Sequence, residues 1–142
     1  MRSRTDNTVG VSNLVDYLNR VAILFPMVVG NGPDRSSQLL KGVLDMCLLA
    51  IISEEPSYGY EMVNKLASKG LDLVSEGTIY PVLSRLQKNG LVAGYLVESS
   101  GGPARKYYRL TEPGADALES WQENWRRLAA GVERVLRGAE GA

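Results

Sequence analysis

The sequence predicts a mainly α fold with one small β-hairpin, built as a winged helix-turn-helix followed by a C-terminal dimerisation helix. Three observations carry this. Ile79, Val82, Leu83 and Leu86 repeat at i, i+3, i+4, i+7, the spacing of one buried helical face. A strand–turn–strand pattern follows directly, around Ser99-Ser-Gly-Gly-Pro103. The chain then closes on a stripe at Leu118, Trp121, Trp125, Leu128, Val132 and Val135, spaced 3, 4, 3, 4, 3.

Bulk properties bound the class. At 142 residues with formal net charge zero, one domain with short appendages is expected, soluble and ordered. Zero net charge argues against a general nucleic-acid binder but leaves room for a local cationic surface. A single cysteine excludes an intrachain disulfide framework and fits a reducing, cytoplasmic compartment. With no histidine, histidine-based zinc sites and catalytic triads are excluded. No glycine-rich phosphate loop and no convergent carboxylate pair appears, so neither an enzyme nor a cofactor is expected. The lone Cys47 lies in an apolar run and reads as a core residue, not a metal ligand.

Residues 1–35 read as an N-terminal extension. Residues 1–12 are polar. Residues 13–26 carry Leu14, Leu18, Val21 and Phe25 on one helical stripe, ended by Pro26. That helix packs either on its own domain or as an arm across a dimer, unless the start codon is mis-assigned. The apolar run Val21 to Val29 is too short to span a bilayer and lacks a small-residue cleavage site, so no membrane or secretory role is expected. Gly30 to Pro33, with Asp34, Arg35, Ser36 and Ser37, reads as a linker.

Residues 36–111 form the expected winged helix-turn-helix. Leu39 to Ile52 is apolar nearly all round, which predicts a helix buried on two sides, one against a partner subunit. Glu54 to Ser57 is a turn. Ser57 caps a helix from Tyr58 to Lys69 with Tyr60, Val63 and Leu66 inward, closed by Gly70. The next helix follows within a few residues. Pro81 is expected in its first turn, where no hydrogen bond is lost, which places the N-cap at Thr78 or Gly77. Asn89-Gly90 ends it. Its outward face presents Tyr80, Ser84, Arg85 and Lys88, a set suited to phosphates and base edges, with Thr78 near a phosphate. Two short helices joined tightly, the second polar on its free face, is helix-turn-helix grammar. The strands Leu91 to Glu98 and Arg105 to Leu110 then form the wing, with Arg105 and Lys106 past its tip, in reach of phosphates or the minor groove.

Residues 112–142 form the last helix and tail. Thr111 is the expected cap and Pro113 lies in the first turn. Leu118, Trp121, Trp125, Leu128, Val132 and Val135 make the a/d seam of a two-stranded coiled coil, which Gly131 weakens. Two tryptophans on one seam, doubled by a two-fold axis, leave a slot for a planar ligand.

Three blocks carry a family resemblance: Tyr58-Gly-Tyr-Glu-Met62, the run from Gly77 to Leu86, and Arg105 to Thr111 with Gly114. In this order they resemble the PadR family of transcriptional regulators over roughly residues 39–137. The resemblance implies a winged helix-turn-helix, a homodimer held by the C-terminal and first helices, and repression of nearby genes; two recognition helices related by the dimer axis would then meet a palindromic double-stranded DNA operator. The single short C-terminal helix resembles the smaller subgroup. Some members of it bind drugs or other planar aromatic compounds between paired tryptophans at the dimer centre. Trp121, after Leu118-Glu-Ser120, resembles that position, and Trp125 lies one turn on. The chain departs from the pattern in its long N-terminal arm. The rival reading is a winged-helix protein-interaction module with a solvated cationic face and no small-molecule effector.

Overall fold

A computed structural model describes residues 34–141. The expected helix at residues 13–26 and the start of the linker lie outside them. The chain divides into two units, residues 1–39 and 40–142. At the end of the first, the Asp34 carboxylate accepts from the Ser36 amide at 2.9 Å and from its hydroxyl. Those bonds hold the carboxyl below its usual range, the hydroxyl contributing most. They also start helix α1 (Ser36–Lys41), so Ser36 and Ser37 are helical and not linker.

The apolar run expected as one helix is interrupted. After α1 the chain turns at Gly42-Val43, and α2 (Leu44–Glu54) begins afresh. The Val43 amide bonds the Leu40 carbonyl at 3.0 Å, a tighter i→i+3 closure that breaks the α repeat. Leu44, Leu48, Leu49, Ile51 and Ile52 of α2 are all buried. Each contributes roughly 1.5–3 kcal/mol by leaving water.

Ser57 is not a helix cap. It forms with Tyr58 a two-residue strand β1 (Ser57–Tyr58), too short to show a periodicity. Its side chain is buried, donates to the Glu55 carbonyl at 3.1 Å and accepts from Lys65 Nζ at 2.8 Å. Helix α3 (Gly59–Ser68) follows, burying Met62 and Leu66. Tyr60, expected inward, is exposed instead, because the inward stripe runs through Met62 and Leu66. Helix α4 (Glu76–Lys88) buries Ile79, Leu83 and Leu86, as its spacing predicts.

Both helices end in the same closure. Gly70 at φ +96° and Gly90 at φ +74° occupy the left-handed region. Leu71 and Leu91 then donate back to the Leu66 and Leu86 carbonyls, each at 2.9 Å.

Strands β2 (Val92–Ser99) and β3 (Gly102–Leu110) form the hairpin, and the sheet order is β1-β3-β2, all antiparallel. Val92 pairs with Leu110, Tyr95 with Tyr107 and Val97 with Arg105. The ladder is irregular between Val97 and Ser99. The two-residue turn has Gly101 at φ +79°.

Helix α5 (Glu112–Glu140) is capped by Thr111, whose hydroxyl oxygen accepts from the Gly114 amide at 3.1 Å. The same hydroxyl donates to the Gly90 carbonyl at 2.6 Å, and the Thr111 amide bonds the Leu91 carbonyl at 3.2 Å. One residue thus ties the end of α4 to the start of α5. The core lies where α2, α3, α4, the inner sheet face and Leu118 meet.

Candidate nucleic-acid interface

Helix α4 begins earlier than Pro81 suggests. Ser75 is its N-cap residue and its carbonyl receives the Thr78 and Ile79 amides at 3.1 and 3.2 Å. Thr78 is therefore inside the first turn, its hydroxyl 2.9 Å from that of Ser75. Pro81 sits in the second turn, where its missing N–H leaves the Gly77 carbonyl without its i+4 donor. The exposed backbone at Gly77 remains open to water.

The expected outward face is outward. Thr78, Tyr80, Ser84, Arg85 and Lys88 are all exposed. They lie opposite Ile79, Leu83 and Leu86, which hold the helix on the core. Among the described residues, ion pairs engage Lys65, Lys69 and Arg127, and none engages Arg85 or Lys88. Neither of these two side chains is held by a carboxylate.

Tyr80 is less free than its neighbours. Its hydroxyl donates to Glu76 Oε2 at 3.0 Å, and its ring lies over Gly59 at the start of α3. A Cβ at Gly59 would stand 3.0 Å from the Tyr80 hydroxyl oxygen, so the glycine between two tyrosines allows this helix–helix approach. Desolvation first, then the bond to Glu76, pushes the phenol up from its ordinary value. Tyr80 therefore stays a neutral donor at physiological pH. The sequence marks Gly59 only as part of a motif; its packing role is visible from the fold.

On the wing, the pleat places Arg105 and Lys106 on opposite faces. Arg105 stands on the outer face, its guanidinium carbon 4.7 Å from the centre of the Tyr58 ring. Lys106 folds across the inner face over Gly94 and places Nζ 5.4 Å from the centre of the Tyr108 ring. The two neighbours thus reach different surroundings.

The seam of α5 divides in two. Leu118 is buried in the core of its own domain, so it has little surface left for a partner. Beyond it, Trp125, Leu128, Val132, Val135 and Leu136 are 45–73 % exposed, far more than apolar side chains at helical spacing keep in a finished core. Trp121 and Trp125 share a cleft of about 290 Å³ with Val43, Asp45, Met46 and Asn124. The Asp45 carboxylate also accepts from the Met46 amide at 2.8 Å. Burial, then the charge of Asp45, pushes the Cys47 thiol up, away from the thiolate form. Among the described residues, no cluster of three or more potential metal ligands occurs, and no helix is long and apolar enough to cross a membrane.

Residues 48–120 match the model of the transcriptional regulator PadR-like family. A PadR-like transcriptional regulator from Bacillus cereus is 48 % identical, covering 70 % of this chain and 96 % of its own, with a TM-score of 0.63. The transcriptional regulator YqjI of Escherichia coli is 34 % identical over 116 residues, which are 80 % of this chain and 53 % of YqjI; the chain spans about half of that relative. Bacillus subtilis PadR, solved in complex with operator DNA, is similar at 22 % identity over 56 % of this chain and 46 % of its own, with a TM-score of 0.52. That likeness is one of fold.

Proposed function

The chain belongs to the PadR-like family of transcriptional regulators, and from that premise we propose that it is a homodimeric repressor whose grip on DNA responds to a planar aromatic ligand. The observation that carries the reading is the free face of α4: two unpaired cations, two hydroxyls and a phenol on a helix locked to the core from behind. The fold shared with Bacillus subtilis PadR, which was solved on operator DNA, supports the same use. Tyr80, Ser84, Arg85 and Lys88 make the groove contacts and Thr78 reaches a phosphate. Arg105 and Lys106 add salt-dependent affinity from the wing.

The exposed stretch of α5 supports a second copy as the partner. A two-fold axis through that seam sets two α4 helices toward successive major grooves, about 34 Å apart on a palindromic site. The cleft at Trp121 and Trp125 supports an effector site, because two indoles and one carboxylate suit a flat, cationic ring system. A ligand there acts by fitting the DNA-competent and incompetent spacings unequally, with a coupling of about 1–3 kcal/mol.

The test of DNA recognition is binding of the full chain to the duplex upstream of its own gene. Arg85→Ala is expected to weaken binding about tenfold or more, in keeping with about 1–3 kcal/mol for a specific contact. Unchanged affinity would overturn the recognition-helix role and favour a protein-interaction module. For the effector, planar cationic aromatic dyes are expected to quench tryptophan fluorescence, with quenching lost in Trp121→Ala. Quenching that survives in that variant would reject the site.

A further inference from the structure

The outer face of the sheet is aromatic. Tyr60, Tyr58, Tyr107 and Tyr95 form a row of rings whose successive centroids are 6.4, 5.2 and 6.1 Å apart. All three strands and the start of α3 contribute to it. The Arg105 guanidinium rests on this row, 4.7 Å from the centre of the Tyr58 ring.

Lys106 rests on the Tyr108 ring of the inner face in the same way, while other cations rest on carboxylates. The ion pairs among the described residues place Lys65 on Glu55, Lys69 on Glu54 and Arg127 on Glu123. No carboxylate among the described residues pairs with Arg105. The difference matters chemically. A carboxylate offsets the charge and occupies the N–H fork. A ring face attracts the cation through its quadrupole and accepts none of the in-plane donors. Arginine also carries a large rotamer entropy, so holding it before contact lowers the cost of association.

We propose that Tyr58 is a positioning residue for Arg105, presenting its guanidinium to DNA phosphate with charge and donors intact. The proposal rests on the DNA-contact role given above to Arg105. Tyr58 suits the task because its own freedom is small. Its backbone is paired to Tyr107 in the sheet and stands at the N-cap of α3. Its ring is flanked by those of Tyr60 and Tyr107. A mobile ring would orient nothing.

The experiment uses the full chain and the duplex upstream of its own gene, with affinity measured by fluorescence anisotropy across a salt series. Arg105→Ala is expected to reduce the salt slope by about one. Tyr58→Leu is expected to weaken binding about two- to fivefold, the range of an exposed cation–π contact. Tyr58→Phe, which keeps the ring, is expected to match the parent. In the Arg105→Ala background, Tyr58→Leu is expected to change nothing further. The same loss in that background, no loss in Tyr58→Leu alone, or a Phe variant as weak as the Leu variant, would each overturn the proposal. Unchanged affinity and slope in Arg105→Ala would instead remove the phosphate contact beneath it, a distinct failure. Should Tyr58→Leu not fold, the parent protein decides: the Arg105 δ-methylene protons are expected upfield under the Tyr58 ring current. Their appearance at ordinary shifts would overturn the contact.

Discussion

A methyl group on Gly114 would overlap the Leu91 carbonyl oxygen and press on Leu110, because α5 crosses the end of α4 at backbone contact there. The position needs glycine for space, not for its backbone angle. Alanine is the better helix former by about 1 kcal/mol, yet overlap with a fixed carbonyl outweighs that. Gly114→Ala is expected to destabilise the fold by about 2–4 kcal/mol, read as a lower urea midpoint at constant slope. Gly59 is a milder case, since an added Cβ there would meet only the end of the Tyr80 side chain, 3.0 Å from its hydroxyl oxygen. Thr111 shows the converse, a polar residue whose one hydroxyl accepts at the start of α5 and donates to the end of α4. Its capping role was legible from Thr111 and Pro113 alone; its grip on Gly90 was not, since that bond joins residues 21 apart in the chain.

At the scale of the element, α4 tells most. Its buried face followed from spacing, because 3.6-residue periodicity is a local property. Its start did not follow, because Pro81 is most comfortable in a first turn and here sits in the second. Tertiary packing of Ile79, Leu83 and Leu86 outweighs the lost hydrogen bond. Pro81→Ala restores the donor to the Gly77 carbonyl and is expected to stabilise the protein by about 2 kcal/mol, net of the entropy returned to the unfolded chain. A rise in melting temperature checks this; a fall would mean that the proline is needed for the path of the helix. The split between α1 and α2 was also hidden, since the apolar run reads straight through Gly42 and Val43. β1 was hidden because two residues carry no pattern, and only the β3 edge makes them a strand.

At the scale of the molecule, α5 leaves an apolar stripe that its own domain does not cover. Leu118 joins the core, whereas Leu128, Val132 and Val135 face outward. If the proposed dimer forms there, charge in the stripe should prevent it without unfolding the monomer. Leu128→Glu with Val132→Glu is expected to shift the sedimenting species from two subunits to one at micromolar concentration, with the circular dichroism of the domain retained. A monomeric parent protein would overturn the dimer, and a double variant that still sediments as two subunits would move the interface elsewhere. The stripe's heptad was readable from the sequence. Its division into an inner and an outer part was not, because that depends on where α2 lies against α5.

The sequence by itself determined the types of the longer elements, the buried face of α4, the wing, the glycine stops and the family, all of which rest on short-range spacing or on local blocks. Only the tertiary structure decided which of those residues meet. It set Arg105 on Tyr58 and turned Lys106 to the other face. It also drew Leu118 inward and placed Asp45 beside two indoles. The physical reason is range: periodicity fixes which way a side chain points from its own backbone, while its partner is chosen by how separate elements pack.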